Sequence, residues 1–354
     1  MILMLKRILV AACAAATALA LSACSPSAST GGKASKDSTL TVMASFYPLK
    51  YLAEKVGGEH VTVTSLTPDG AEPHDLELSP KMVDSLASAD AVVYLAGFQG
   101  AVDEAIEQHA PTTVIDVSSA AQLVAIDSTS NHPGEDEGTD EAQSGEAQSG
   151  KAQSGEAADH DHEGHEHEGH DHEHADHDHH HDMSMDPHFW LDPARMANAA
   201  TLVGDKLAEA DPTNAETYKA NAQALNKELT SLGDNLVTKT STCQIKTFVT
   251  AHTAFGYLAD RTGLTQVGIS GLDPESSPSP ARLAEIGKIA KDQGVTTIFT
   301  EALIDPKVAQ TLADDLGIST AVLDPIESQT DSSKDYAAVM NDNIDALTKA
   351  NNCQ

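Results

Sequence analysis

The chain has 354 residues, 40% of them hydrophobic, and a formal net charge of −33. That length accommodates about two domains, and the apolar content is enough for real cores. Such acidity excludes nucleic-acid binding, which rests on Lys and Arg neutralising phosphates, and it suits a protein that handles cations.

The N-terminus reads as a signal segment, residues 1–23. Lys6 and Arg7 form a charged start, and the apolar run ILVAACAAATALALSA is too short to span a bilayer comfortably. It ends in Leu21-Ser22-Ala23-Cys24, which resembles a bacterial lipobox. That resemblance implies cleavage before Cys24, a lipid on Cys24, and a soluble body held outside the cytoplasm. Residues 24–38, SPSASTGGKASKDS after the cysteine, are suited to a flexible tether.

Residues 39–126 alternate strand and helix signals. LTVMASF (40–46), VTVTSLT (61–67), AVVYLAG (91–97) and TTVIDVS (112–118) are short β-rich runs, with YPLKYLAEKVGG, SPKMVDSLASA and AVDEAIEQ as helices between them. Four strands with helical crossovers predict a parallel-sheet α/β lobe. Order then stops over 127–184. Residues 141–155 repeat a pentapeptide (EAQSG, EAQSG, KAQSG), and such a stretch cannot bury apolar surface. Between Asn131 and Asp182 there are 17 acids and one base. Eleven of the 23 residues from 160 to 182 are histidine: His160, His162, His165, His167, His170, His172, His174, His177, His179, His180 and His181.

Residues 185–210 close the first lobe. The run 211–238 is expected to be one long linking helix, with Ala215, Tyr218, Ala222, Leu225, Leu229 and Leu232 along one face. From 239 to 354 the βα alternation resumes, with strands KTFVTAH (246–252), LTQVGIS (264–270), TTIFTE (296–301) and TAVLDP (320–325). The fold class is therefore α/β, two four-stranded lobes joined by a long helix.

Open α/β sheets bind ligands at the carboxyl ends of their strands. His74 follows the strand VTVTSLT, His252 stands at the join of strand and helix in TFVTAHTAFGYLAD, and His188 follows the insert in MDPHFWLDP. Glu301, Asp324 and Glu327 follow the last two strands. His60 and His109 read as surface histidines, and His132 goes with the acidic insert. Imidazole plus carboxylate is a donor set suited to zinc.

EPHDLELSP, DPHFWLDP and HTAFGYLAD, in this order behind a lipobox, resemble the signature stretches of the cluster A-I substrate-binding proteins of metal ABC importers. They are most similar to the zinc branch of ZnuA-type lipoproteins. The resemblance runs from Thr39 to the C-terminus, the insert excepted. It implies a metal in the cleft between the lobes, with His74, His188 and His252 as metal-binding histidines and zinc as cargo. For the fourth ligand it offers Glu327 first, then Asp324, then Glu301, with water in some members. A histidine at 252, where manganese members tend to carry a carboxylate, favours zinc over manganese. The implied partners are an ABC permease and its ATPase, with the chain a monomer at the outer face of the membrane. Glu72 and Asp186 stand close enough to ligand histidines to orient them.

The histidine-rich tract lacks a scaffold that would hold its ligands in one geometry, so it is expected to form several weak zinc sites accessory to one tight site in the cleft. A passive zinc store or surface adhesin is the alternative role. No HExxH, GxSxG or P-loop is present, so the chain is not expected to be an enzyme. Once Cys13 leaves with the signal and Cys24 carries lipid, Cys243 and Cys353 remain, an even pair expected to form a disulfide in an oxidising compartment.

Overall fold

The computed structural model describes residues 39–109, 111–126, 131–132 and 184–354. The signal segment, Cys24, the tether and the histidine-rich tract lie outside the described residues.

The first lobe begins with β1 (Leu40–Ala44), α1 (Tyr47–Gly57), β2 (Val61–Ser65), α2 (Pro80–Ala87) and β3 (Ala91–Tyr94). It continues with α3 (Gly100–His109), β4 (Thr113–Asp116) and a one-turn helix, α4 (Ser118–Ala121). Its strands are parallel in the order β2-β1-β3-β4. A two-residue antiparallel pair, β5 (Val124–Ala125) with β6 (Met185–Asp186), joins the two sides of the insert. After a 3-10 turn at Phe189–Leu191 come two helices, α5 (Pro193–Ala210) and α6 (Ala215–Thr240). The second lobe is β7 (Thr247–Thr250), α7 (Gly256–Thr262), β8 (Thr265–Gly268), α8 (Pro280–Asp292), β9 (Thr297–Thr300), α9 (Lys307–Leu316), β10 (Ser319–Val322) and α10 (Tyr336–Ala350). Its order, β10-β9-β7-β8, repeats that of the first lobe, so each sheet switches direction beside its first strand. Such a switch point opens a crevice at the carboxyl ends of the strands.

Local sequence explains where the helices begin. In both lobes the helix after the second strand starts at a Ser-Pro pair. The Ser79 side chain accepts from Met82 N, the Ser279 side chain accepts from Arg282 N, and proline occupies the first helical turn in each case. β1 is apolar over most of its length and β7 is buried throughout, as strands at the centre of a parallel sheet covered by helices are.

One long helix, α6, occupies most of the stretch 211–238, and a second long helix, α5, which was not anticipated, precedes it. Asp192 caps α5 by accepting from Ala194 N, and Pro193 follows it, so helix already begins there. Asp211 then accepts from Thr213 N, Asn214 Nδ2 and the Tyr218 hydroxyl, which turns the chain before α6 starts at Ala215. The buried face of α6 carries Tyr218, Ala222, Leu225, Leu229, Leu232 and Leu236. It packs against α1 of one lobe and α10 of the other. Close helix packing is required at Gly204 of α5, where an added Cβ would come 2.4 Å from the Cβ of Ala222.

The core runs through both lobes. Trp190 is fully buried, and its indole N–H donates to Pro325 O (2.7 Å), while the Tyr336 hydroxyl donates to Trp190 O. A disulfide joins Cys243, between α6 and β7, to Cys353 after α10. No helix among the described residues is long and apolar enough to cross a membrane.

Candidate metal centre

Three loops and the 3-10 turn bring His74, His188, His252 and Glu327 together, with one donor atom from each lying within 4.8 Å of all the others. His74 comes from the loop after β2. Gln99, just beyond β3, fixes that loop by donating to Pro73 O and Thr67 Oγ1, both at 3.0 Å. The Glu72 carboxylate accepts from His74 N (2.9 Å), and Phe98 packs edge-on to the His74 ring. Burial raises the Glu72 pKa even though His74 opposes the rise.

His188 follows β6 directly. Asp186 Oδ1 accepts from both His188 N (2.9 Å) and His188 Nδ1 (2.8 Å), which leaves Nε2 to face the cluster. His252 lies at the end of β7 and is held in the same way. Glu301, beyond β9, accepts from His252 N at Oε1 (3.0 Å) and from His252 Nδ1 at Oε2 (2.7 Å). Each ring is therefore oriented through its far nitrogen by a carboxylate, the usual arrangement behind a metal-ligating histidine.

Glu327 is delivered by a constrained loop after β10. Asp324 Oδ1 accepts from Ile326 N (2.8 Å), and Asn343 both accepts from Asp324 N and donates to Asp324 O. Ile326 consequently sits at φ 57°, a left-handed conformation that a β-branched residue rarely adopts. Ser328 accepts from Gly70 N (2.7 Å), tying this loop to the one that carries His74. The structure thus separates the three carboxylates expected to compete for one position. Glu327 points into the cluster, Asp324 is engaged by its own loop, and Glu301 is bonded to the far side of His252.

The spacing of the cluster is informative. Nε2 of His74, of His188 and of His252 each lies 3.4 Å from Glu327 Oε1. All four donor atoms lie within 4.8 Å of one another, so three imidazole nitrogens and one carboxylate oxygen face a common point, a donor set suited to zinc. The Nε2 atoms of His188 and His252 are buried without a hydrogen-bond partner, as lone pairs aimed at a cation would be. Electrostatics agree. Burial works against charge on Glu327, yet the imidazoles of His188, His252 and His74 hold its pKa well below the usual value. Burial likewise opposes charge on His252, but Glu301 and Glu327 raise its pKa well above that of a free imidazole, and Asp186 and Glu327 raise that of His188. Asp186 is held at about 2, since His188 and His132 outweigh its desolvation.

Two residues behind the cluster were not legible as such in the sequence. Glu301 ranks there only as a third-choice ligand, because a carboxylate at a strand end looks the same whether it faces the metal or the far side of a ring. His132, assigned there to the unstructured insert, is instead buried to 1% exposure against Asp186 and Asp260. Composition hid it, because the acid-rich stretch begins immediately after. His60 is half-buried and His109 exposed, both away from the centre.

Glu301→Gln offers one acceptor oxygen where His252 presents two donors, and zinc affinity is expected to fall about 10- to 100-fold. A chelator-competition titration checks this, and unchanged affinity would mean that the carboxylate has no part in orienting His252.

Two parallel-sheet lobes facing each other across a buried three-histidine, one-carboxylate cluster define a cleft-type binding protein with the donor set of a metal site. Residues 42–350 match the family model described as ZnuA, zinc-uptake complex component A, periplasmic, and the chain belongs to that family. It is 33% identical over 318 residues to the zinc-binding protein AdcA of Streptococcus pyogenes, covering 86% of this chain but 55% of AdcA. The chain thus spans about half the length of the AdcA relatives it matches. The high-affinity zinc uptake system protein ZnuA of Bacillus subtilis is 32% identical over 340 residues, 94% of each chain. The Zn(II)-bound ZnuA-like domain of Streptococcus pneumoniae AdcA has the same fold, with a TM-score of 0.65 at 27% identity over 88% of this chain and 99% of that one.

Proposed function

We propose that this chain is the extracytoplasmic receptor of a zinc importer, binding one Zn2+ through His74, His188, His252 and Glu327. The observation that carries this is the convergence of three imidazole nitrogens on one Glu327 oxygen, each 3.4 Å from it, a three-nitrogen, one-oxygen donor set of the kind that binds zinc. A catalytic zinc keeps a position open for water. Here four protein donors fill the sphere, which favours a receptor over a hydrolase. Three imidazoles also favour zinc over manganese, which prefers oxygen donors. Lipid on Cys24 would anchor the body to the membrane, and a permease with its ATPase would take the metal from the cleft. The histidine-rich tract is proposed as an accessory that gathers zinc, since the described residues on either side of the insert that carries it meet where Ser184 O accepts from Ile126 N and His132 meets Asp186. Loading requires no chemistry on the ion. Asp186 and Glu301 keep two rings turned with Nε2 inward, and Glu327 stays ionised to meet the cation.

The test is accumulation of radioactive zinc, at limiting supply, by cells in which this chain is the sole receptor. Glu327→Ala is expected to reduce uptake to near background. Uptake that persists while total cell-bound zinc falls would instead fit the storage or adhesin role.

A further inference from the structure

Past β5 the chain crosses to the second lobe at Asn131 and His132. Asn131 Nδ2 donates to Asp260 Oδ1 (2.8 Å), its side-chain oxygen accepts from Gln266 N (3.1 Å), and its carbonyl accepts from Gln266 Nε2 (2.5 Å). The His132 ring stands edge-on to Tyr257, centroids 4.7 Å apart. The ring fits because residue 256 is glycine. A Cβ there would come 2.7 Å from the ring and 2.6 Å from Asn131 O. A specific slot therefore receives this side chain.

Its ring nitrogens meet two carboxylates, Nδ1 at 2.5 Å from Asp186 Oδ2 and Nε2 at 2.9 Å from Asp260 Oδ2. Each ring nitrogen thus stands within hydrogen-bond distance of a carboxylate oxygen, and the ring bridges the two carboxylates. Asp186 is thereby fixed at both oxygens, by His188 at Oδ1 and by His132 at Oδ2. The Tyr257 hydroxyl holds its backbone by donating to Asp186 O (2.6 Å) and accepts from Val124 N (2.8 Å). Without His132, one oxygen of a fully buried carboxylate would lose its hydrogen-bond partner, and the side chain would be free to turn away from the His188 ring.

We infer that His132 is a positioning residue of the metal site, clamping Asp186 so that the His188 ring keeps Nε2 aimed at the cluster. This rests on the ligand set proposed above. The residue just before the acidic insert would then belong to the tight site, although the insert itself does not. Removal of residues 132–182 would therefore injure the site for a reason unrelated to the histidine-rich tract.

The experiment is a zinc titration against a chromogenic chelator at pH 7.5 on the mature chain, in the intact form and as His132→Ala, His132→Gln, Asn131→Ala, Asp186→Asn and the His132→Ala/Asp186→Asn double variant. Thermal midpoints of the metal-free forms report folding. His132→Ala is expected to weaken zinc binding about 10- to 100-fold, the usual effect of losing an outer partner of a ligand. His132→Gln keeps one donor for Asp186 and is expected to recover most of the loss, and it also serves if the alanine variant does not fold. Asn131→Ala loosens the strap without touching Asp186, so its affinity is expected to stay within about threefold of the intact chain, against the larger outer-partner effect. The double variant is expected to be no weaker than Asp186→Asn alone, because both changes break one chain of contacts. Intact-chain affinity in His132→Ala, an equal loss in Asn131→Ala, or multiplied losses in the double variant would each overturn the inference while leaving the zinc-receptor function standing. An intact chain with no tight zinc site would overturn that function and the inference together.

Discussion

A chain with residues 135–182 replaced by a short glycine linker is expected to keep one tight zinc equivalent, and His252→Ala in the intact chain is expected to lose it. The contrast follows from where ordering free energy is spent. Fixing one residue's backbone costs about 1–2 kcal/mol, and in the cleft this ordering is part of folding. His252 is fully buried and already bonded to Glu301 before any metal arrives. In the tract, by composition, that ordering must accompany every binding event, which predicts weak and exchangeable sites. Loss of a ligand must exceed the roughly 10- to 100-fold effect of losing an outer partner. His252→Ala should therefore weaken the tight site by more than about 100-fold while the weak equivalents remain. The deletion should show the reverse, with tight affinity within about threefold and the weak equivalents gone, since no ligand or orienting partner is removed. The boundary matters, because a deletion starting at 132 would take His132 as well. Were the 135–182 deletion to abolish tight binding while His252→Ala spared it, the tract would be the receptor.

Much of the fold was legible because the strands form short β-rich runs between helical segments; seven of the eight lobe strands fall inside the expected runs, and β10 begins one residue earlier, at Ser319. The helix start at Ser79-Pro80 was legible too, although α5 was not anticipated. Its sequence, PARMANAATLVGDKLAEA, buries four alanines and a glycine. Small residues give a weak periodic signal, yet they let α5 and α6 lie close together. At the metal centre, sequence placed the candidate donors at strand ends but left three carboxylates competing for one position. What separates them is backbone geometry. The left-handed turn at Ile326 and the Asn343 clamp on Asp324 decide which way Glu327 points, and both depend on contacts between distant segments.

Zinc affinity is expected to fall steeply as pH drops from 7.5 to 5.5, and zinc binding near neutral pH is expected to release protons. The sign follows from the buried pairs. Although desolvation opposes it, Glu301 and Glu327 raise the His252 pKa well above 6.5, and Asp186 and Glu327 raise that of His188. In the metal-free chain a second proton therefore enters each ring more readily than in a free imidazole, on the Nε2 that faces Glu327. Zinc needs both lone pairs, so it must displace those protons. Affinity is full above the raised histidine values and declines as pH falls through them, beginning at higher pH than for ordinary histidines. Glu327 adds no proton competition until strongly acidic pH, since the surrounding imidazoles keep its pKa well below 4.5 despite burial. Two competing protons give a limiting slope of about two decades per pH unit, or roughly 10^2- to 10^4-fold over this interval. Calorimetry in buffers of different ionisation enthalpy counts the released protons directly, and about two are expected below the histidine values. His252→Ala should remove about one of the two. Equal affinity at pH 5.5 and 7.5, with no protons released, would rule out a three-imidazole site, because no set of buried histidines can bind zinc without first giving up the protons that their carboxylate neighbours help them hold.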